Sequence, residues 1–158
     1  MAKYNITDKK ITEAAYRTLV SPQMMDELKE KIIHVLFVKK MYKEKSYSAK
    51  RLAMDIGTNT RYISAVLNVR FHTNYATLVN SYRVEEAMAL LADKRYRDLN
   101  IEDISAMVGF ANRQSFYVAF YKINGCTPRA YKLRYIAPRK AVNGKTTKRQ
   151  TKGEKASF

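Results

Sequence analysis

Apolar side chains return every three to four positions in one segment of this chain after another, the period of helices buried along one face. The clearest run is residues 100–131, NIEDISAMVGFANRQSFYVAFYKINGCTPRAY. Ile101, Ile104 and Val108 share a face there, and Asn100 followed three residues later by Asp103 is a helix-opening pair. Gly109 can leave that helix with positive φ, Phe110 plugs the corner, and Asn112 offers a capping oxygen to a second helix. In the second helix Phe116, Ala119, Phe120 and Ile123 take the core spacing, which turns Arg113, Gln114, Tyr117, Val118 and Tyr121 towards the other faces. The segment predicts a helix-turn-helix whose second member carries donors, acceptors and a ring outward, the equipment of a helix that enters a DNA major groove.

An ordinary pair of buried helices has the same periods, but the pattern occurs twice. Ser48, Leu52, Ile56 and Gly57 precede Asn100, Ile104, Val108 and Gly109 by a constant 52 positions. Asn59, Ile63 and Leu67 precede Asn112, Phe116 and Phe120 by 53, so one residue is inserted in the second turn. The first unit thus spans about residues 48–70, with Ser48 and Asn59 as caps and Thr60, Arg61, Ser64, Ala65 and Asn68 left for solvent or a ligand. His72 stands at the end of its second helix, where the chain has to turn; histidine tolerates the left-handed region better than most non-glycine residues.

Between the units Asn74 caps a helix over residues 75–92, with Tyr75, Leu78, Val79, Tyr82, Ala87, Leu90 and Leu91 on its buried side. Its 18 residues span about 27 Å at 1.5 Å each. Residues 93–99 form a charged loop. Thr127 and Pro128 open a closing helix that runs to about residue 135. Ahead of the first unit, Ile11, Ala14, Ala15 and Leu19 suit one marginal helix, and Pro22 an early position of the next. From there Met25, Leu28, Ile32, Val35 and Leu36, widened by Ile33, Phe37 and Met41, continue one helical stripe. This helix either covers the first helix-turn-helix or offers a dimerisation face. The fold class expected is all-α: an extension (1–22), a domain (23–137) of two helix-turn-helix units (48–70 and 100–124) joined by a long helix, and a tail (138–158).

The residues resemble the AraC/XylS-type family of bacterial transcription regulators. The resemblance rests on Gly109 and Phe110, Phe116, Phe120, Lys122, Gly125 and Pro128, preceded by Arg83, Ala87, Leu90 and Leu91 on the linking helix, and covers roughly residues 45–135. The family usually has glycine where His72 stands. The resemblance implies two recognition helices presented to successive major grooves, and its reading positions fall on Thr60, Arg61, Ser64 and Ala65, and on Arg113, Gln114, Tyr117 and Val118. By donor pattern, Arg61 and Arg113 suit guanine, Gln114 suits adenine, Ser64 either donates or accepts, and Ala65 and the Thr60 methyl suit thymine methyls, with Tyr117 and Val118 giving apolar contact. Where the family often carries a long polar residue this chain has Ala65, which shifts reading there towards Arg61 and DNA shape. Residues 1–45 are too few for the effector domain that longer members carry, so the resemblance is to short, DNA-binding-only members.

Charge strengthens this reading. Thirty Lys and Arg against fourteen Asp and Glu give +16 over 158 residues, an electrostatic footprint for a polyanion. The tail contributes seven basic residues and one acid from Arg139 onward with almost nothing apolar, a composition expected to be disordered when free. The partner expected is double-stranded DNA, bound by a monomer, with RNA polymerase as a second candidate and no membrane. The N-terminus lacks an apolar signal core, and one cysteine, Cys126, fits a reducing cytoplasm, with the protein nucleoid-associated. No catalytic residues, cofactor or metal are expected: two histidines and one cysteine are too few for a standard zinc site, Cys126 fills a small apolar position, and no phosphate loop or acid–base cluster occurs. Two functions share these features, a sequence-specific transcription regulator and a DNA-architectural or recombination accessory factor.

Overall fold

A computed structural model describes residues 6–136. Among them are eight α-helices and no strand: α1 (Ile6–Leu19), α2 (Pro22–Ile33), α3 (Ala49–Ile56), α4 (Thr60–Phe71), α5 (Tyr75–Ala92), α6 (Ile101–Val108), α7 (Arg113–Asn124) and α8 (Pro128–Ile136). The tail, with its expected disorder, lies outside the described residues.

Helix starts are set by short polar side chains that satisfy amide groups left without an intrahelical partner. Ser21 accepts from Met24 N at 3.3 Å, Ser48 from Arg51 N at 3.1 Å, Asn59 from Tyr62 N and Asn74 from Thr77 N at 2.9 Å, and Asn112 from Ser115 N at 2.8 Å. At α6 the cap is reciprocal: Asn100 accepts from Asp103 N at 2.7 Å, and Asp103 accepts from Asn100 N at 3.3 Å. The helices before the turns end in left-handed residues, Gly57 (φ 74), His72 (φ 53) and Gly109 (φ 105). His72 thus takes the conformation for which the family resemblance offers glycine.

Two cores form, and α5 belongs to both. The first gathers Met25, Leu28, Ile32 and Leu36 with Leu52, Ile56, Ile63, Val66, Leu67 and Val79. The second gathers Val84, Ala87 and Leu91 with Ile104, Val108, Phe110, Phe116 and Phe120. In the second, ring centroids step from Phe110 to Phe116 (5.1 Å), to Phe120 (5.6 Å) and on to Tyr131 of α8 (5.5 Å), the tilted and edge-on contacts that aromatic quadrupoles favour. Because α5 gives its first half to one core and its second half to the other, the two units share a rigid element.

Three sequence expectations change. The stripe from Met25 to Met41 does not lie on one helix: α2 passes into a π-helical turn, His34–Val38, closed by Lys39 N donating to His34 O at 3.0 Å, and Lys40 then reverses the chain at φ 54. The wider turn keeps Val35 and Leu36 inside while exposing Val38. Helix α1, expected as an extension, packs along α4, with Tyr16, Leu19 and Val20 joining the first core. Ile123, expected in the core, is exposed: the last turn of α7 faces the polar Thr77, Asn80 and Ser81 of α5 across an open cleft.

Candidate nucleic-acid interface

Helices α4 and α7 are the second members of the two helix-turn-helix units, and each carries candidate contact residues in its first turn. Thr60 and Arg61 follow the Asn59 cap, and Arg113 and Gln114 follow the Asn112 cap. A helix start directs unpaired amide groups and the positive end of the peptide dipoles the same way, which favours an anionic ligand at that end.

On α4, Thr60, Arg61 and Ser64 are exposed and Asn68 is half-buried. Arg61 has no hydrogen-bond or ion-pair partner among the described residues, so its guanidinium is free to engage a ligand. Ala65 is 0 % exposed. Its assignment to thymine methyls is therefore corrected: α1, α2 and α3 all pack on α4, and the face that carries Ala65 lies inside the first core.

On α7, Arg113, Gln114 and Val118 are exposed, Val118 at 62 %, and Tyr117 is half-buried. Tyr121, 59 % exposed, continues the same stripe one turn beyond Tyr117; its spacing of four from Tyr117 and eight from Arg113 is the signal that marks it as a further member of the surface. Arg113 is not free. Its Nη1 lies 3.0 Å from Glu102 Oε1, its Nη2 donates to Tyr117 Oη at 3.4 Å, and its guanidinium carbon stands 4.9 Å from the Tyr117 ring centroid. Both ends of the ion pair are well exposed, so it is worth at most about 1 kcal/mol and can be exchanged for a stronger partner. The Tyr117 ring meanwhile holds the arginine over the outward face of α7.

The two outward stripes have one architecture: a capped start, polar side chains in the first turn, and a buried opposite face in a core to which α5 contributes. A family model described as a helix-turn-helix domain matches residues 52–134, more than half of the chain. The chain belongs to the AraC-type helix-turn-helix family. It is 26 % identical over 105 residues to the uncharacterized HTH-type transcriptional regulator YtdP of Bacillus subtilis (strain 168), a match covering 66 % of this chain and 13 % of that protein. The chain therefore spans only a small fraction of that curated relative's length. Its fold is similar to the C-terminal domain of AraT, a response regulator from Geobacillus stearothermophilus (TM-score 0.61, 18 % identity, covering 75 % of this chain and 93 % of that one). It is also similar to the C-terminal domain of the two-component response regulator yesN from Fusobacterium nucleatum subsp. nucleatum ATCC 25586 (TM-score 0.59, 23 % identity, 66 % and 96 %). A DNA-binding transcriptional dual regulator from Escherichia coli K-12 has a similar fold as well (TM-score 0.58, 17 % identity, 70 % and 93 %).

Within this AraC-type domain Cys126 is half-buried against the second core, which agrees with a small apolar filler. No helix among the described residues is long and apolar enough to cross a membrane.

Proposed function

We propose that the chain is a sequence-specific, double-stranded-DNA-binding transcription regulator that places α4 and α7 in two successive major grooves. The observation that carries this reading is the pair of outward stripes on helices whose buried faces pack into two cores joined by α5. Arg61, with Thr60 and Ser64, reads one segment; Arg113 and Gln114, with Tyr117, Val118 and Tyr121, read the other. The +16 charge supplies affinity that does not depend on sequence, and the base-edge contacts supply the discrimination. α5, about 27 Å long at 1.5 Å per residue, is of the scale needed to bridge groove entrances about 34 Å apart. Both readers sit on one polypeptide, so a single chain suffices on an asymmetric site. The chemistry is binding alone, with no catalytic group, metal or cofactor in the mechanism.

The burial of Ala65 favours one part of the architectural alternative. With three exposed polar residues in the first two turns of α4, the first groove is read more by shape and phosphate contact than by base edges. Under the regulator reading RNA polymerase is the second partner. Selection of duplexes from random DNA, with and without polymerase holoenzyme, tests both. A recovered motif in two segments, stronger at the α7 segment, is expected; recovery of bent but motif-free DNA would favour the architectural role.

A further inference from the structure

The loop 40–44 lies where the two helix-turn-helix units meet, and an unusual amount of polar chemistry is spent on it. Arg83 of α5 is only 9 % exposed, yet it makes no ion pair with a carboxylate among the described residues. Its Nε donates to Tyr42 O at 2.6 Å and its Nη2 to Glu44 O at 3.1 Å, while the guanidinium carbon stands 5.7 Å from the centroid of the Phe110 ring. Burying a guanidinium is costly, and here two backbone carbonyls and an aromatic face offset that cost. One turn further along α5, Glu86 accepts from Tyr42 Oη, pairs with Lys43 Nζ, and has Lys40 Nζ at 4.0 Å.

From the other side the loop is met by the turn of the second unit. A Cβ at Gly109 would lie 2.6 Å from Lys43 O and 2.7 Å from Tyr42 O, so the backbone of that turn touches the backbone of the loop. Tyr42 belongs to the first core and Phe110 to the second. The short helical turn Met41–Lys43 packs on both α5 and α6. A shared helix alone leaves each unit able to roll about its axis as side chains repack; a wedge fixed to α5 and pressed against α6 removes that freedom.

We infer that loop 40–44, held by Arg83 and Glu86, sets the distance and rotation between the two readers and so determines which spacing of DNA half-sites the protein accepts. The inference deepens the DNA-binding reading and rests on it. Arg83 and Glu86 are positioning residues: they lie behind the readers and act through them. The lock makes spacing a term in specificity, because insertion of one base pair rotates one groove about the helix axis and a rigid pair of readers cannot follow.

Two measurements on the full chain test it, one without DNA. Nitroxide labels on cysteines replacing the exposed Met54 of α3 and Met107 of α6, in a Cys126→Ser background, report the distance between the units. The parent should give one narrow distribution, and Glu86→Gln and Arg83→Met broader or displaced ones. Glu86→Gln is the milder change and serves if Arg83→Met fails to fold. In the second measurement, a duplex recovered from random DNA by the parent is compared with the same duplex carrying one or two inserted base pairs between its protected segments. The parent should lose more than about tenfold in affinity per insertion and the Glu86→Gln variant less than about threefold, the parent's loss being equivalent to about one decade in Kd. A purely structural role would lower the melting temperature of the variant and leave that ratio unchanged, and this result overturns the inference, as does a distribution that stays narrow and unshifted in every variant. A parent that selects no duplex at all would instead end the DNA-binding reading, while the label distances would still decide whether the lock exists.

Discussion

Spacing gives Arg113 and Ala65 the same kind of task, and their surroundings separate them. Arg113 is exposed and poised over Tyr117, so Arg113→Ala should lose discrimination at one base pair, about 1–3 kcal/mol, with little effect on random duplexes. Equal losses on specific and random DNA, in titrations side by side, would reduce it to a phosphate contact. Ala65→Leu should do the reverse: overpacking the first core costs about 1–3 kcal/mol of stability without altering base preference. Denaturant melts together with a selected-site comparison check this. Glu86 carries a pH signature. Burial pushes its carboxyl up, but hydrogen bonds from Lys43 and Tyr42 and the charges of Lys43 and Lys40 outweigh burial and hold it below its ordinary 4.5. Its interactions therefore stabilise fully above that value, and the stabilisation disappears as pH falls through the lower folded value. The stability gap between parent and Glu86→Gln should be constant near neutrality and shrink in acid; a gap that persists in acid would remove Glu86 from the lock.

At the scale of elements, caps and turns are the legible part. Ser48, Asn59, Asn74, Asn100 and Asn112 announce helix starts through chemistry that acts within three residues, so no tertiary knowledge is needed. What depends on a distant partner is not legible. The period of α4 leaves Ala65 outward until the helices packed on α4 close over it, and the period of α7 puts Ile123 inward although it lies exposed at a cleft to which α5 brings the polar Thr77, Asn80 and Ser81. The π-helical turn at His34–Val38 has no local signal in an apolar run that suits a plain helix equally well. Arg83 lies within the family resemblance but its burial does not, since its partners are carbonyls of a loop some forty residues earlier. The glycines divide in the same way. Gly57→Ala meets open space and should cost only the left-handed strain, about 1–2 kcal/mol, whereas Gly109→Ala adds a backbone collision and should cost distinctly more. Thermal melts of the two variants rank them, and equal losses would mean that the loop yields at Gly109.

For the whole molecule, the proposed reading divides the work between charge and rigidity: the net charge of +16 would attract any duplex, and two fixed helices would provide choice. The tail from Arg139 onward belongs to the first of these on the proposed reading, with seven basic residues against one acid. Deletion after Ala137 should leave folding and base preference intact, lower affinity for every duplex, and flatten log affinity against log salt by about 0.9 for each phosphate that the tail neutralises. Parallel salt plots for intact and shortened chains would show that the tail does not touch DNA. Whether one chain reads two grooves through α4 and α7 is decided by contact interference mapping on a recovered duplex, with the stoichiometry measured on the same duplex. One protein per duplex and two clusters of major-groove interference on one face, about 34 Å apart, are expected. Interference confined to a single groove, or two chains arranged symmetrically on a palindrome, would contradict the two-groove reading.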